Sequence, residues 1–138
     1  MESPEDADVA VVRLSAPFEP RSDLFLEAWF HQGSLDFPPG LVHRLRHIAQ
    51  HCPLVVDVTL ERPVVLTPLL DFAAAVVGSY GTSAPALLDA LTARVPPVGV
   101  LPFDLPRSMQ AVRDHPEDQP GLDDPLFPCG FGLGLISR

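Results

Sequence analysis

The stretch Leu54–Leu60 limits the fold more than any other part of the sequence, because it is apolar almost throughout. Asp57 is the only charged residue within it. Strands of this kind are buried on both faces, as in parallel sheets that are covered by helices. The preceding stretch, Gly40–His51, places apolar residues at the helical period of about 3.6 residues and is stopped by Pro53. A buried strand that follows an amphipathic helix predicts an α/β fold.

Other segments continue this alternation of strands and helices. Val9–Leu14 is rich in valine and predicts a first strand. Ser83, followed by Pro85, is a typical helix start, and we expect this helix to reach Ala93. The remaining expected elements are a helical turn at Thr67–Asp71, strands at Ala73–Val77 and Val100–Phe103, and a helical turn at Arg107–Asp114. We therefore expect residues 1–138 to form a single α/β domain, with a doubly wound, mostly parallel sheet flanked by helices in an α/β sandwich.

Composition excludes several classes of partner. The chain has 138 residues and a formal net charge of −9 at pH 7, whereas nucleic acids and anionic membranes attract basic surfaces. The first residues lack the basic and apolar regions of a signal peptide, and no apolar stretch is long enough to span a bilayer. Two cysteines define no disulfide framework. We therefore expect a cytoplasmic location, with no nucleic-acid partner and no membrane partner.

Two clusters of proline and glycine near the end of the chain form the most specific pattern. Pro97–Pro102 reads Pro-Val-Gly-Val-Leu-Pro, and Pro125–Leu133 reads Pro-Leu-Phe-Pro-Cys-Gly-Phe-Gly-Leu. Both follow Ser83–Leu91, the capped helix. This order resembles the closing segment of the C-terminal domain of glycoside hydrolase family 3, the β-glucosidase-type enzymes. Weaker similarity to the same domain covers almost the whole chain, including Gly33–Phe37 and Pro53–Val58.

The resemblance implies one half of a retaining β-glycosidase, which in this family needs two domains. A barrel domain supplies an Asp nucleophile, and the α/β domain supplies a Glu acid/base from a loop. The sequence has no barrel and begins at a strand that the family places inside the domain, so the nucleophile and earlier strands are expected to be missing. We therefore expect a β-linked sugar substrate only together with a barrel domain, little or no hydrolysis by the chain alone, and self-association through an exposed sheet edge. The alternative is a non-catalytic module that binds a sugar or a partner, or a decayed remnant.

The long segment Ser15–Pro39 contains the candidate site residues. Glu27 lies near the position that the resemblance gives to the acid/base residue, and its apolar neighbours could bury it. The alternative is a solvated glutamate on a helical turn. His31 and Asp36 are candidates for binding a sugar, and Trp29 could stack on a pyranose ring. Each also has a simpler interpretation, because polar loop residues often bond their own backbone and aromatic residues often anchor a loop to the core.

Three histidines are spaced four residues apart on the helix at Gly40–His51, a geometry that can bind zinc. They are His43, His47 and His51. No cysteine or acidic ligand accompanies them, whereas a structural zinc site usually has four protein ligands. We therefore expect a solvated basic face, with no metal site and no cofactor.

Three further residues receive structural interpretations. Asp57 needs a partner if it is buried, and Arg62 or a backbone donor are the candidates. Cys129 has no base near it in sequence and is expected to be a packed thiol. Ala93 stands where the family has a glycine at the helix end.

Overall fold

The computed structural model describes residues 3–21, 25–26 and 29–132. After a short 3₁₀ helix at Pro4–Asp6, strands and helices alternate as far as Leu91, and a further helix follows. In chain order they are β1 (Ala10–Ser15), α1 (Pro39–Ala49), β2 (Leu54–Thr59), α2 (Thr67–Leu70), β3 (Ala75–Ser79), α3 (Ala84–Leu91) and α4 (Met109–Asp114).

The strands form a parallel sheet in the order β1-β2-β3. In the β1–β2 register, Ala10 pairs with Leu54 at one end and Ser15 pairs with Thr59 at the other. Parallel neighbours need crossover connections, and these connections contain α1 and α2. The prediction of an α/β fold with parallel strands flanked by helices is confirmed. Among the described residues, the order of the strands in the sheet follows their order in the chain. A doubly wound sheet also contains a point at which the strand order reverses.

The hydrophobic core lies on one face of the sheet. Alternate residues of β2, namely Leu54, Val56 and Val58, are completely buried, and so is Leu69 of α2. Burying a side chain of this size stabilises the fold by about 1.5–3 kcal/mol relative to leaving it exposed. The other face has less cover, because Val11 of β1 is still 40% exposed. Within the described residues, the face of the sheet that carries Leu54, Val56 and Val58 is therefore the better covered one.

The two clusters of proline and glycine pack against each other in irregular structure. The Leu101 amide donates to the Phe131 carbonyl at 2.8 Å. The predicted strand at Val100–Phe103 is therefore wrong, because its backbone pairs with this segment and does not join the sheet. Gly132 permits the close approach, since a Cβ on it would lie 2.5 Å from the Gly99 carbonyl oxygen. The pattern that carries the family resemblance thus marks a backbone contact.

Asp104 joins the same two parts of the chain through its carboxylate. Its Oδ1 accepts the Cys129 amide at 2.6 Å, and its Oδ2 accepts the Leu122 amide at 2.8 Å. The bond from Cys129, followed by the bond from Leu122, holds the pKa of Asp104 below its ordinary value, while desolvation opposes the shift. Folding therefore favours the ionised carboxylate.

We expect Asp104→Asn to lower the free energy of unfolding at pH 7 by about 1 kcal/mol, because a neutral amide accepts these bonds less well. The folded-state pKa lies below the ordinary value of 3.8, so the stabilisation is complete above pH 3.8 and is lost as the pH falls through the folded-state value. Urea unfolding should therefore show a smaller difference between wild type and variant in strong acid than at neutral pH. Asp123→Asn is the control, and an equal loss in both variants would contradict the prediction.

Ala93 ends α3 in a left-handed backbone conformation, with φ at +57°. The Arg94 and Val95 amides both donate to the Asp89 carbonyl, at 2.9 and 3.1 Å, and so close the helix end. Helices that end in this way usually have glycine at the left-handed position, because a Cβ is strained there. Alanine at this position therefore stores strain that glycine would release.

We expect Ala93→Gly to raise the free energy of unfolding by about 0.5–1 kcal/mol, because glycine adopts this conformation without the clash of a Cβ. Ala90→Gly, inside α3, is the matched control and should lower it by about 1 kcal/mol. Urea unfolding of the three proteins measures both effects. A change of the same sign in both variants would rule out strain at Ala93.

Candidate functional site

The loop that joins β1 to α1 lies at the carboxyl edge of the sheet. We call residues 16–38 the β1–α1 loop. Its first residue, Ala16, is buried, and the Ala16 amide donates to the Thr59 carbonyl at 3.0 Å. In open α/β sheets, ligands bind outside the carboxyl ends of the strands. This loop is therefore the candidate functional site.

A network around Gly33 closes the base of the β1–α1 loop. The Glu19 amide donates to the Gln32 carbonyl at 2.8 Å, and the Glu19 carboxylate accepts the Ser34 amide at 3.1 Å. Arg62, which follows β2, donates to the Gly33 carbonyl at 3.0 Å. Gly33 has φ at +85°, and the Glu19 side chain lies where a Cβ of residue 33 would stand. Two separate segments therefore fix the base of the loop.

The last part of the β1–α1 loop is anchored in the core. Leu35 and Phe37 are only 8% and 5% exposed. The Leu35 carbonyl accepts the Val65 amide at 3.0 Å, and the Leu35 amide donates to Met109 Sδ at 3.2 Å. Asp36, between the two buried residues, is exposed. The anchoring thus holds a carboxylate at the surface next to the loop base.

An open groove of about 720 Å³ lies between the base of the loop and α1. Asp36 and Glu19 both line it, although the Glu19 carboxylate is already bonded to a backbone amide. Trp29 and His31 are not among the described residues that line the groove. The remaining lining includes the aromatic Phe18 and Phe37 and the basic His43 and Arg46. Of the sequence-predicted site residues that the structure describes, Asp36 is the one that lines this groove.

His31 connects the loop to the residue that follows β2. Its Nδ1 lies 3.0 Å from Glu61 Oε2. Its ring stacks on Phe18, with centroids 4.2 Å apart and planes inclined by 8°. These contacts orient the imidazole, and its role in binding a sugar stays a prediction.

Trp29 and its described apolar neighbours are exposed. The exposed fractions are 77% for Trp29, 70% for Leu26 and 65% for Phe30. The Trp29 amide donates to the Leu26 carbonyl at 3.2 Å, which forms a local turn. These three side chains are therefore open to solvent. Glu27 itself lies outside the described residues, and its acid/base role stays a prediction.

Asp57 is completely buried and is paired with Arg13. The two residues are opposite each other in the β1–β2 register, and Arg13 Nε donates to Asp57 Oδ2 at 2.8 Å. Arg13 also donates to the Thr82 carbonyl at 2.6 Å. The predicted partner Arg62 is wrong, because its guanidinium bonds to the loop base instead. The Arg13–Asp57 pair therefore joins β1 to β2, and Arg13 also joins them to Thr82, which lies just before α3.

His43 and His47 lie on α1, and His51 lies just after it; in the described residues none of them joins a group of metal-binding side chains. The His47 and His51 rings lie 4.9 Å apart, and His51 Nδ1 is 3.7 Å from Glu5 Oε1. Nowhere in residues 3–21, 25–26 and 29–132 do three or more metal-binding side chains form a group that could hold an ion. His47 and His51 therefore contact each other, and His51 also contacts Glu5.

Cys129 is exposed, so the expectation of a packed thiol is wrong, and Cys52 is the buried cysteine. The reason is that Cys129 is held by its backbone amide on Asp104, which leaves the side chain outside the core. His115 shares a cleft with Cys129, but His115 Nε2 lies 3.0 Å from the Gln119 carbonyl oxygen. The contacts therefore do not assemble a cysteine–histidine pair.

Over almost its whole length the chain is similar to proteins named as β-glucosidases. "Beta-glucosidase C" of Emericella nidulans is 45% identical over 130 residues, which are 94% of this chain and 21% of that protein. "Probable beta-glucosidase C" of Aspergillus oryzae is 42% identical over 138 residues, 99% of this chain and 22% of that protein. The "Periplasmic beta-glucosidase/beta-xylosidase" of Dickeya chrysanthemi is 40% identical over 136 residues, 95% of this chain and 21% of that protein. The chain is homologous to a segment of β-glucosidases.

This homology confirms the resemblance to family 3 β-glucosidase-type enzymes. The chain spans about a fifth of the length of the β-glucosidases that it matches. No protein-family model and no solved structure matches it. None of the helices within the described ranges has the length and apolar character needed to cross a membrane. The Dickeya chrysanthemi relative is named as periplasmic, so the expected cytoplasmic location is not confirmed.

The sequence alone does not single out three residues that organise the candidate site: Glu19, Glu61 and, as the partner of Asp57, Arg13. A signal existed for Arg13, because it is the fourth residue of β1 and Asp57 is the fourth residue of β2. The parallel register therefore pairs them. No local signal existed for the two glutamates, since their partners lie far away in sequence.

Proposed function

We propose that the chain, as a single domain of residues 1–138, contributes the acid/base loop of a retaining β-glycosidase whose nucleophile lies on a barrel domain. The observation that carries this proposal is the identity of 40–45% to β-glucosidases over almost the whole chain. Because the match covers only 21–22% of those proteins, the proposal gives the chain part of the catalytic apparatus.

The chemistry needs two carboxyl groups on either side of the scissile bond. In retaining enzymes they lie about 5–5.5 Å apart. A barrel aspartate attacks the anomeric carbon and forms a covalent bond, while Glu27 gives its proton to the leaving glycosidic oxygen. Glu27 then takes a proton from the water that hydrolyses the covalent intermediate. This exchange of roles restores both carboxyl groups.

The geometry of the β1–α1 loop supports a role for this loop in supplying the acid/base residue. Its base is fixed by the bonds of Glu19 and Arg62 around Gly33, so the loop starts from a defined position. Beyond the base, Trp29 presents an exposed aromatic surface that suits the flat face of a pyranose. Asp36 and His31, in the same loop, are the proposed sugar ligands.

The first test uses the purified 138-residue chain with p-nitrophenyl β-glucoside. We expect no release of p-nitrophenol above the buffer rate, because the nucleophile is not in the chain. Titration calorimetry with glucose and with xylose then distinguishes a domain that binds sugar from a remnant that does not. Heat of binding without hydrolysis fits a sugar-binding domain, whereas no binding favours the decayed remnant. Hydrolysis at an enzymatic rate would show that the chain holds both carboxyl groups.

The second test assigns Glu27 its role by replacing the matching segment of the Dickeya chrysanthemi β-glucosidase with this chain. In an active chimera, Glu27→Gln should slow the first turnover of cellobiose by about 100-fold or more, since the sugar leaving group needs a proton. The first turnover of 2,4-dinitrophenyl β-glucoside should change little, because this leaving group departs as an anion. Glu117→Gln, at an exposed position, is the control. Equal losses on both substrates would remove Glu27 from the acid role.

A further inference from the structure

Two consecutive residues that follow β2 contact the β1–α1 loop. Glu61 Oε2 lies 3.0 Å from His31 Nδ1, and Arg62 bonds to the loop base. The sheet fixes where this pair begins, because the Leu60 amide donates to the Ser79 carbonyl of β3 at 2.8 Å. The Glu61 carboxylate therefore approaches the loop from a part of the chain that the sheet holds in place.

Two contacts of different kinds hold the His31 imidazole. The ring stacks on Phe18, with centroids 4.2 Å apart and planes inclined by 8°. Stacking fixes the plane of the ring, but it is compatible with a half-turn that exchanges each ring nitrogen with a carbon. The Glu61 carboxylate distinguishes the two orientations, because it accepts a hydrogen bond from a ring N–H. Together the contacts determine which edge of the imidazole faces Glu61 and which faces away.

The contact with Glu61 also selects the tautomer of His31. An ionised carboxylate only accepts hydrogen bonds, so Nδ1 carries the hydrogen of the neutral ring. Nε2 of that tautomer has a lone pair and can only accept. The His31 side chain is still 41% exposed, so a ligand can reach the ring. A sugar hydroxyl suits this nitrogen, because a hydroxyl group can donate its hydrogen.

We propose that Glu61 is a positioning residue, which holds His31 with Nε2 as the acceptor for a sugar hydroxyl. The proposal rests on the proposed function, in which His31 is a sugar ligand of the β1–α1 loop. Phe18 links this ring to the groove, because it stacks on His31 and also lines the groove beside Asp36. The Asp36 carboxylate and His31 Nε2 are both acceptors, so both select ligands that are rich in hydroxyl donors.

The first test observes the ring nitrogens of His31 by 15N NMR at about pH 8.5, where imidazoles are mostly neutral. We expect a hydrogen on Nδ1 and none on Nε2, with the signals assigned by their loss in His31→Ala. Glu61→Ala should give a mixture of both tautomers, and it should keep the fold because the Glu61 side chain is 49% exposed. Glu5→Ala is the matched control, since Glu5 lies beside another histidine, His51, at 3.7 Å. A hydrogen on Nε2 in the wild-type chain, or an unchanged tautomer in Glu61→Ala, would overturn the proposal.

The second test is kinetic and uses the active chimera with the Dickeya chrysanthemi β-glucosidase. Glu61→Ala should raise KM for cellobiose by about 3- to 10-fold with little change in kcat, as expected for the loss of one hydrogen bond to the bound sugar. In a His31→Ala background the same substitution should have no further effect, because Glu61 acts through His31. An unchanged KM in both single variants, or an equal rise with and without His31, would contradict the proposal. An inactive chimera would speak against the proposed function, whereas the tautomer of His31 decides the role of Glu61 without a sugar or a barrel domain.

Discussion

Replacing Arg13 by methionine should lower the free energy of unfolding by about 3 kcal/mol. The loss comes from the partner that remains, because Asp57 is 0% exposed and its Oδ2 depends on Arg13 Nε at 2.8 Å. The second oxygen, Oδ1, is buried without a hydrogen-bond partner in the described part of the chain. Arg13→Met would thus leave a buried carboxylate without its cation. The bond from Arg13 to the Thr82 carbonyl would be lost as well.

Three comparisons in urea unfolding isolate this cause. Arg94→Met is the matched control, because Arg94 pairs with Asp89 at 3.5 Å while its side chain is 78% exposed, and such surface pairs contribute about 0–1 kcal/mol. Asp57→Asn should cost less than Arg13→Met, since it leaves no buried charge. The double variant Arg13→Met/Asp57→Val should recover most of the loss. If Arg13→Met lowers the free energy of unfolding no more than Arg94→Met does, the buried Asp57 carboxylate does not depend on Arg13.

The sequence predicts those elements whose burial is decided locally. The apolar run of β2 and the helical stripe of α1 each place their own residues on a buried face, and the structure has both elements within a few residues of the expected bounds. Ser83 caps α3 as expected, and its Oγ accepts the Ala86 amide at 3.5 Å. The expected strand at Val100–Phe103 failed because its apolar residues find their partner in a distant irregular segment. A local apolar pattern indicates that a segment is buried, but it does not identify the segment against which it packs.

The candidate site depended more strongly on long-range contacts. The sequence indicates that a buried Asp57 needs a partner, but choosing Arg13 over Arg62 requires the strand register. Glu19 is fifteen positions before Ser34, whose amide it accepts, and no spacing rule links the two. The loop base could therefore not be derived from the sequence, although its segment and several of its polar residues could.

Gly33→Ala should lower the free energy of unfolding by about 2–3 kcal/mol, through left-handed backbone strain and overpacking together. Gly33 has φ at +85°, and a Cβ there would lie within 2.7 Å of three Glu19 side-chain carbons. One of these is the Glu19 Cβ, which can move only with a backbone that is bonded to Gln32. The loop base must therefore shift as a unit, and the Ser34 amide loses its carboxylate partner.

Two other glycines separate the two causes, because all three substitutions make the same chemical change. Gly99→Ala has open space and no left-handed φ, so its effect should stay within about 0.5 kcal/mol. Gly81→Ala has φ at +81° and open space, so it should show the backbone strain alone, about 1–2 kcal/mol. Urea unfolding should rank the losses as Gly33, Gly81 and Gly99. In a Glu19→Gly background, which lacks all three clashing carbons, the loss caused by Gly33→Ala should fall to that of Gly81→Ala. Equal losses in the free energy of unfolding for Gly33→Ala and Gly81→Ala would mean that the Glu19 side chain moves aside without cost. The base of the loop would then not be held in one position.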